Sequence, residues 1–506
     1  MFKCWRAAVF AALSIPGLGS ALAWAQDVTL TSRDGAIAVE GRLNGYDGEF
    51  FRLDTAFGPL TVDAQGVTCD GPACPDLTAP KAVIAITGSA DMAARLLAPL
   101  LQDFARTQGW TYAAGPPFTL STAAGETLAE ITFAPAPPDQ AHAALISGAA
   151  LLAFSSLTEP DLGSQSVALD AMVPITAADN PLPQIATSDL ARVLSGEVTN
   201  WNQIGGPDMP LVLHGLAAES DLGRALRARL GKDLAVTEVH GSAAELAAAV
   251  ARDPWGLAVT GLSQVGTARR LPLTDSCGFP LSPGRLAVKA QDYPLTLPVF
   301  FLKPRHRLPL VARDFLAYLS TPQAQGVIAR SGLTDRSVER LPLGADGARL
   351  ISAIKGAGEE TTLADLQALV AAMEGAERLS LTFRFDAGGM TLDATSRDAL
   401  ADLAQMLEAG VFKGQALSLV GFSDGEGSAE ANRDLGLARA GAVLAALKAL
   451  VPGMEVAQLP ALASFGEALP MACDRVPAGR NLNRRVELWM RPAFAAPPPV
   501  DSEGDP

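Results

Sequence analysis

Three side chains near the C-terminal end have the types and spacing of a charged binding site. Asp424 stands in a Gly-rich run between an apolar stretch and a long helical pattern, and Asn432 and Arg439 follow it, seven residues apart. On a helix, seven residues turn through about 700°, nearly two full turns, so the pair shares one face. A carboxylate in the turn and a guanidinium on the facing helix form a bipolar pocket. Such a pocket suits a zwitterion, whose ammonium goes to the carboxylate and whose carboxylate goes to the Arg fork. The same spacing also serves an ordinary Asp–Arg salt bridge on a solvated helix, and spacing alone does not separate the two. Gly421, Ser423 and Gly425 also match the G-x-S-x-G pattern of a nucleophile elbow. That chemistry needs a His after the Ser, whereas His142, His214, His240 and His306 all precede it. No catalytic triad, metal cluster or phosphate-cradling P-loop is spelled, so the expectation is a binding protein without catalytic residue, cofactor or metal.

The elements that would carry this site read as strand, helix and strand over 379–492. Residues 379–385 and 416–422 are strand-like, about 430–450 is helical, and 486–490 is the last strand. Thr395 and Asp398 are spaced as a capping box for a helix carrying Leu400, Leu403 and Leu407. Before this unit, 341–378 reads as a linker with one helix near 363–373. Residues 80–340 alternate strand-like and helix-like segments, which argues α/β. The strand 82–87 meets Gly88 and Ser89. A helix then carries Met92, Leu96, Leu100 and Phe104 at four-residue spacing, with Pro99 expected to bend it. Further helices are expected at 187–194, 242–250, 310–319 and 323–330. Residues 27–78 alternate apolar and polar positions, with turn pairs at Asp34-Gly35, Asn44-Gly45, Asp47-Gly48 and Gly58-Pro59, the pattern of a small β-meander.

The chain has 506 residues, 49% of them hydrophobic and 18% charged, which is enough for several packed domains and too apolar for disorder. Lys and Arg total 39 against 54 Asp and Glu, a formal net charge of −15. That balance excludes a general nucleic-acid binder, because phosphate would repel it. Lys3 and Arg6 precede an apolar stretch that ends at Ala23-Trp24-Ala25, so residues 1–25 read as a secretory signal peptide. Cys4 lies before its apolar core and cannot be a lipoprotein anchor. No later segment reaches about 18 uninterrupted apolar residues. Export permits disulfides. Cys69 and Cys74 flank a turn-forming run and are expected to pair, whereas the pairing of Cys277 and Cys473 stays open. The tail 493–506 is Pro-rich, acidic and expected to be disordered.

The run 421–440, with Ser464, Phe465, Gly466 and Glu467 and with Asn483, Arg484, Arg485, Val486 and Glu487, resembles the OmpA-like C-terminal domain that binds peptidoglycan. The resemblance covers about 379–491. It implies that diaminopimelate of the wall peptide sits between Asp424 and Arg439, with Asn432 in the same site and Arg485 supporting it. Two positions depart: Phe422 stands where the family usually has His, and Gly436 where it has Ser.

The run from Leu194 to Gly206, Ser-Gly-Glu-Val-Thr-Asn-Trp-Asn-Gln-Ile-Gly in its middle, resembles the signature of the phosphate-type periplasmic substrate-binding proteins. Segments around Gly88-Ser89, Ser155-Ser156, Trp255 and Pro294 support it, over about 80–340. The resemblance implies two α/β lobes that close by a hinge on a small anion such as phosphate. Gly88 and Ser89, at a helix start, would offer N–H groups, and Ser155, Ser156 and Ser220 would add donors. The relatives usually carry an Arg shortly before a Ser-Gly-Thr at a helix start. Here the stretch is His214 through Leu222, the Arg is missing, and Asp221 and Leu222 replace Gly-Thr. Asp221 sets a negative charge near the proposed anion, with Arg224 one turn further on as compensation.

The whole therefore reads as an α/β multidomain protein with a small N-terminal β-unit. A two-lobed periplasmic-binding-protein domain follows, and an OmpA-like domain tethers the chain to peptidoglycan on the outer-membrane side of the periplasm. An ABC transporter permease or a sensor would be the partner. The alternative is a wall-anchored scaffold whose middle domain has lost phosphate binding.

Overall fold

The computed structural model describes residues 28–32, 35–75, 81–341, 347–357, 360–386 and 389–493. The leader and the acidic tail read from the sequence lie outside them, save Ala493. Among the described residues, no helix is long and apolar enough to cross a membrane.

The first unit ends at Lys81 and stands by itself. Its alternating segments form an antiparallel sheet in the order Gly58–Asp63, Phe50–Thr55, Ala38–Tyr46, Val28–Ser32, Val67–Asp70. One face closes on Val28, Leu30, Tyr46, Phe51 and Leu53. Cys69 and Cys74 are disulfide-bonded, as the spacing implied. Asp47 makes the expected turn by accepting the N–H groups of Glu49 and Phe50. Asn44-Gly45 is not a turn. It lies inside the strand Ala38–Tyr46, where the pairing register shifts between Leu43 and Gly45, so the extra residue is taken up as a bulge.

The second unit runs from Ala82 onward. Its first lobe packs the strands Ala82–Gly88, Thr127–Pro135 and Leu152–Ser155 against the helices Ala90–Gln108, Leu310–Tyr318 and Pro322–Arg330. Pro99 lies within the first of these helices, which continues through it. The second lobe packs Val212–Leu216 and Gly256–Gly261 against Thr187–Leu194, Asp221–Leu230 and Ala243–Val250. Two long strands, Gly163–Thr176 and Thr296–Lys303, pair antiparallel and serve both lobes. Ala168 and Val299 belong to the first core, Leu169 and Leu297 to the second. A boundary that falls between adjacent residues of a shared strand is where two lobes can turn about each other.

The C-terminal sheet has the order Arg340–Leu341, Glu377–Phe383, Arg485–Pro492, Gln415–Phe422, Ala461–Gly466. Its parallel pair, Gln415–Phe422 with Ala461–Gly466, is joined through the 22-residue helix Ala429–Leu450. That helix and Ala394–Glu408 cover one face, and Leu363–Met373 covers the other through Leu366, Leu369 and Met373. The linker carries a second helix, Gly347–Gly356, that the sequence reading lacked. The capping box expected from Thr395 and Asp398 is also wrong. Asp393 is the cap and accepts the N–H of Ser396. Asp398 instead reaches out of its domain and accepts the N–H of Ser166 on the long shared strand, at 2.6 Å.

Further links bind the C-terminal sheet to the lobes. Cys277 and Cys473 form a disulfide, which settles the pairing left open. Arg378 holds Asp292 in a two-pronged ion pair of 2.7 and 2.8 Å, and Arg336 holds Asp402 at 2.6 Å.

Candidate functional site

Asp424 follows the end of the strand Gln415–Phe422, and Arg439 lies nearly three turns into the following helix. The helix can lie this close because two glycines meet. A Cβ on Gly421 would fall 1.9 Å from the carbonyl oxygen of Gly436, and one on Gly436 would fall 2.3 Å from Oγ of Ser464. This contact explains the departure at Gly436, since a Ser there would collide with Ser464. Asp424, Asn432 and Arg439 are all buried, between 2% and 7% exposed. Asn432 donates to Glu467 at 2.7 Å.

The Asp–Arg salt bridge that spacing left open does not form between Asp424 and Arg439. Asp424 is held at 2.7 Å by Arg484, from the motif just before the last strand. Arg439 Nη1 makes one long bond, 3.4 Å, to the carbonyl of Phe422, while its buried Nε has no partner. Burial and the neighbouring Arg484 lower its pKa, and Asp424 works in the opposite direction. The buried hydroxyl of Ser423 has no partner either. Two unmatched polar groups therefore lie near a carboxylate already held by Arg484, and a ligand carboxylate could supply the partner that Arg439 lacks.

Arg485 is not on the site surface. It is fully buried, donates to Glu487 and to the carbonyls of Asn483 and Leu469, and lies 4.3 Å over the Phe422 ring. Phe422, standing where the resembled family has His, is thus part of its packing. Arg349 and Arg378 also reach Glu487, and their three positive charges hold this carboxyl well below its ordinary range in spite of burial.

The second candidate site is a cavity of about 540 Å³ walled by both lobes. Gly88, Ser89 and Ser220 line it, as expected. Gly88 has φ 101°, and a Cβ there would lie 2.2 Å from the Phe154 carbonyl, so only Gly lets this turn approach the neighbouring strand. Ser220 is spent on capping the helix Asp221–Leu230. Ser155 and Ser156 do not line the cavity. Ser155 closes its own turn by donating to the carbonyl of Leu157. The N–H of Ser156 donates at 2.9 Å to Oδ1 of Asp221, and the Ser156 hydroxyl donates to the Asp221 carbonyl oxygen at 3.4 Å. Arg224 faces Asp139 and Glu159.

The sequence reading missed several wall residues. Asp170 is a single acid in an apolar strand, a signal that could have been used. It is buried, accepts the Ser263 hydroxyl and the Ala171 N–H, and burial raises its pKa. Arg95 lies 3.9 Å from it and donates to the Ser331 carbonyl. His240 borders the cavity and meets His214 at 3.0 Å, which meets Asp253 at 2.9 Å. Three residues so far apart in sequence give no local signal.

Comparison with known proteins locates both sites within recognised domains. Residues 79–322 match the PBP superfamily domain and residues 384–484 match the OmpA family. A 41-residue stretch is 44% identical to the phosphate-binding protein PstS of Borreliella burgdorferi, covering 8% of this chain and 15% of that relative's length. An ABC-type phosphate transport receptor from Vibrio cholerae is 18% identical, over 49% of this chain and 98% of that one, with a TM-score of 0.40. A putative phosphate ABC transporter substrate-binding protein from Clostridium perfringens, solved with bound phosphate, is 15% identical, over 50% and 99%, with a TM-score of 0.42. The chain joins a PBP-like domain to a C-terminal OmpA domain.

Proposed function

We propose that this protein is an exported periplasmic binding protein held non-covalently at peptidoglycan by its OmpA domain, a binder and not a catalyst. One observation carries the wall assignment: the partnerless Nε of buried Arg439 beside buried Asp424. In this reading, the diaminopimelate carboxylate takes the Arg439 fork, its ammonium takes Asp424, and Asn432 borders the site. The paired substitutions Asp424→Ala and Arg439→Ala remove both charges and should stop the protein co-sedimenting with purified sacculi. Undiminished sedimentation of the double variant would end the assignment.

The middle domain is the solute-binding part, and phosphate is its first candidate because the similar proteins are named for it. Of the residues expected for it, Gly88, Ser89 and Ser220 line the cavity, whereas Ser155 and Ser156 would reach a ligand only if Asp221 released them; a transporter permease or a sensor is the proposed partner of the loaded form. The Asp221 carboxylate at the lobe contact favours a second reading, in which the domain takes another ligand or a protein. Calorimetry with inorganic phosphate near neutral pH decides between them. Micromolar binding supports a phosphate receptor, and no heat from the folded protein supports the second reading.

A further inference from the structure

We propose that Asp221 is a resident anion: its carboxylate takes the donors that an oxyanion would use between the lobes and so latches the cleft against phosphate. The inference rests on reading the middle domain as a two-lobed binder. Ser156 follows the strand Leu152–Ser155 of the first lobe, and Asp221 begins a helix whose Ala225 and Leu226 lie in the core of the second. The 2.9 Å bond from the Ser156 N–H to Asp221 Oδ1 therefore crosses from lobe to lobe, as does the bond from the Ser156 hydroxyl to the Asp221 carbonyl. The Ser155 hydroxyl lies at 3.5 Å from the same Oδ1. From the next turn of that helix, Arg224 reaches Asp139 and Glu159 of the first lobe. A backbone N–H and a hydroxyl from one loop that follows a strand form a donor set of the kind that receives an anion. Here the anion is part of the chain. A group tethered in place competes at an effective concentration that free solute does not match. Burial raises the Asp221 pKa, while Ser156, Ser155 and Arg224 work to keep it charged, and in its charged form it opposes a second anion in a partly dehydrated cleft. The rest of the cavity wall adds to this, with Asp91, Asp170 and Glu219 against the guanidinium of Arg95, while burial and His214 lower the pKa of His240.

The test uses the purified full-length protein and its Asp221→Ala and Asp221→Asn variants, with inorganic phosphate as probe. Spin labels at Ala123→Cys and Ala228→Cys, one exposed position on each lobe, report lobe separation. The wild type should show one short separation without ligand and bind phosphate more weakly than Asp221→Ala. Asp221→Ala should lengthen or broaden the separation and gain phosphate affinity at least about tenfold. Asp221→Asn keeps the acceptor for Ser156 and controls for folding, so it should hold the lobes together. A wild type that takes phosphate as tightly as Asp221→Ala overturns the inference and leaves the binding-protein reading standing. Lobes that part only when Arg224→Ala is added assign the latch to Arg224 and also overturn it. Lobes that part in neither single nor double variant overturn it together with the hinged-binder reading.

Discussion

The OmpA site and the cleft between the lobes each hold a counter-charge supplied by the chain itself, yet they are left in opposite states. At the OmpA site, Arg484 occupies Asp424, while Arg439 Nε and the Ser423 hydroxyl stay buried without partners. In the cleft, Asp221 satisfies the N–H of Ser156 and lies against Ser155. An unmatched buried polar group costs about 1–3 kcal/mol, which a ligand that matches it recovers. Donors already satisfied offer a ligand no such gain. The contrast shows that two sites equally legible as motifs can differ in unspent binding capacity, and that this capacity is a property of partners rather than of residue types.

The strongest way to sharpen the contrast is to separate binding groups from supporting ones within the OmpA domain. Arg485→Ala should destabilise the domain by about 3–5 kcal/mol, because it leaves Glu487 buried with part of its charge uncompensated. Arg439→Ala should cost far less stability while abolishing retention on sacculi. Urea unfolding of both variants checks this. An Arg485→Ala chain as stable as the wild type would return Arg485 to the binding surface.

The middle effect concerns the joint between the two regions. Asp398 accepts the Ser166 N–H across the domain boundary, and burial pushes its carboxyl up to about 6, against the pull of Arg336 and of that N–H. A carboxyl raised in the folded state contributes its stability in full below its unfolded value, near 4, and loses it as pH rises through the folded value. Asp398→Asn keeps an acceptor for Ser166 and cannot ionise. It should therefore gain on the wild type by about 1–3 kcal/mol between pH 4 and pH 7. Unfolding free energies measured across that range test this, and a constant difference between the two proteins would remove Asp398 as the source.

Much of the scaffold was legible because its signals are local. The apolar run before Gly88 became the strand Ala82–Gly88, and the helix expected at 187–194 is Thr187–Leu194. Asp424, Asn432 and Arg439 could be grouped because one turn and one helix carry all three. What stayed hidden depends on distant partners. Cys277 and Cys473 are 196 residues apart, and only the packing of two domains brings them together. Asp398 has the spacing of a cap, but a carboxylate on the opposite wall of a domain contact finds a better donor there. Asn44-Gly45 has hairpin chemistry, yet pairing on both sides of it absorbs the extra residue as a bulge. Asp221 was visible as a departure from a pattern, whereas the sequence did not show that it would reach the other lobe.

The smallest expected effect bears most directly on the contrast. Arg484 is the chain's own cation at the carboxylate that the wall ligand's ammonium is proposed to take, and its side chain is 31% exposed, so water can replace it. Asp424 itself is buried, its side chain 8% exposed, so an incoming ammonium must take the place of Arg484 rather than share the carboxylate with it. Arg484→Ala should therefore tighten binding of free diaminopimelate by several-fold, up to about tenfold, as titration calorimetry would read it. Asp221 is held by a backbone N–H and a hydroxyl of the Ser155-Ser156 loop, so its removal should change the cleft's anion affinity by more than this. If Arg484→Ala instead weakens diaminopimelate binding as much as Arg439→Ala does, Arg484 contacts the ligand directly. The OmpA site then holds a two-Arg clamp with no resident counter-charge, and the parallel with Asp221 is gone.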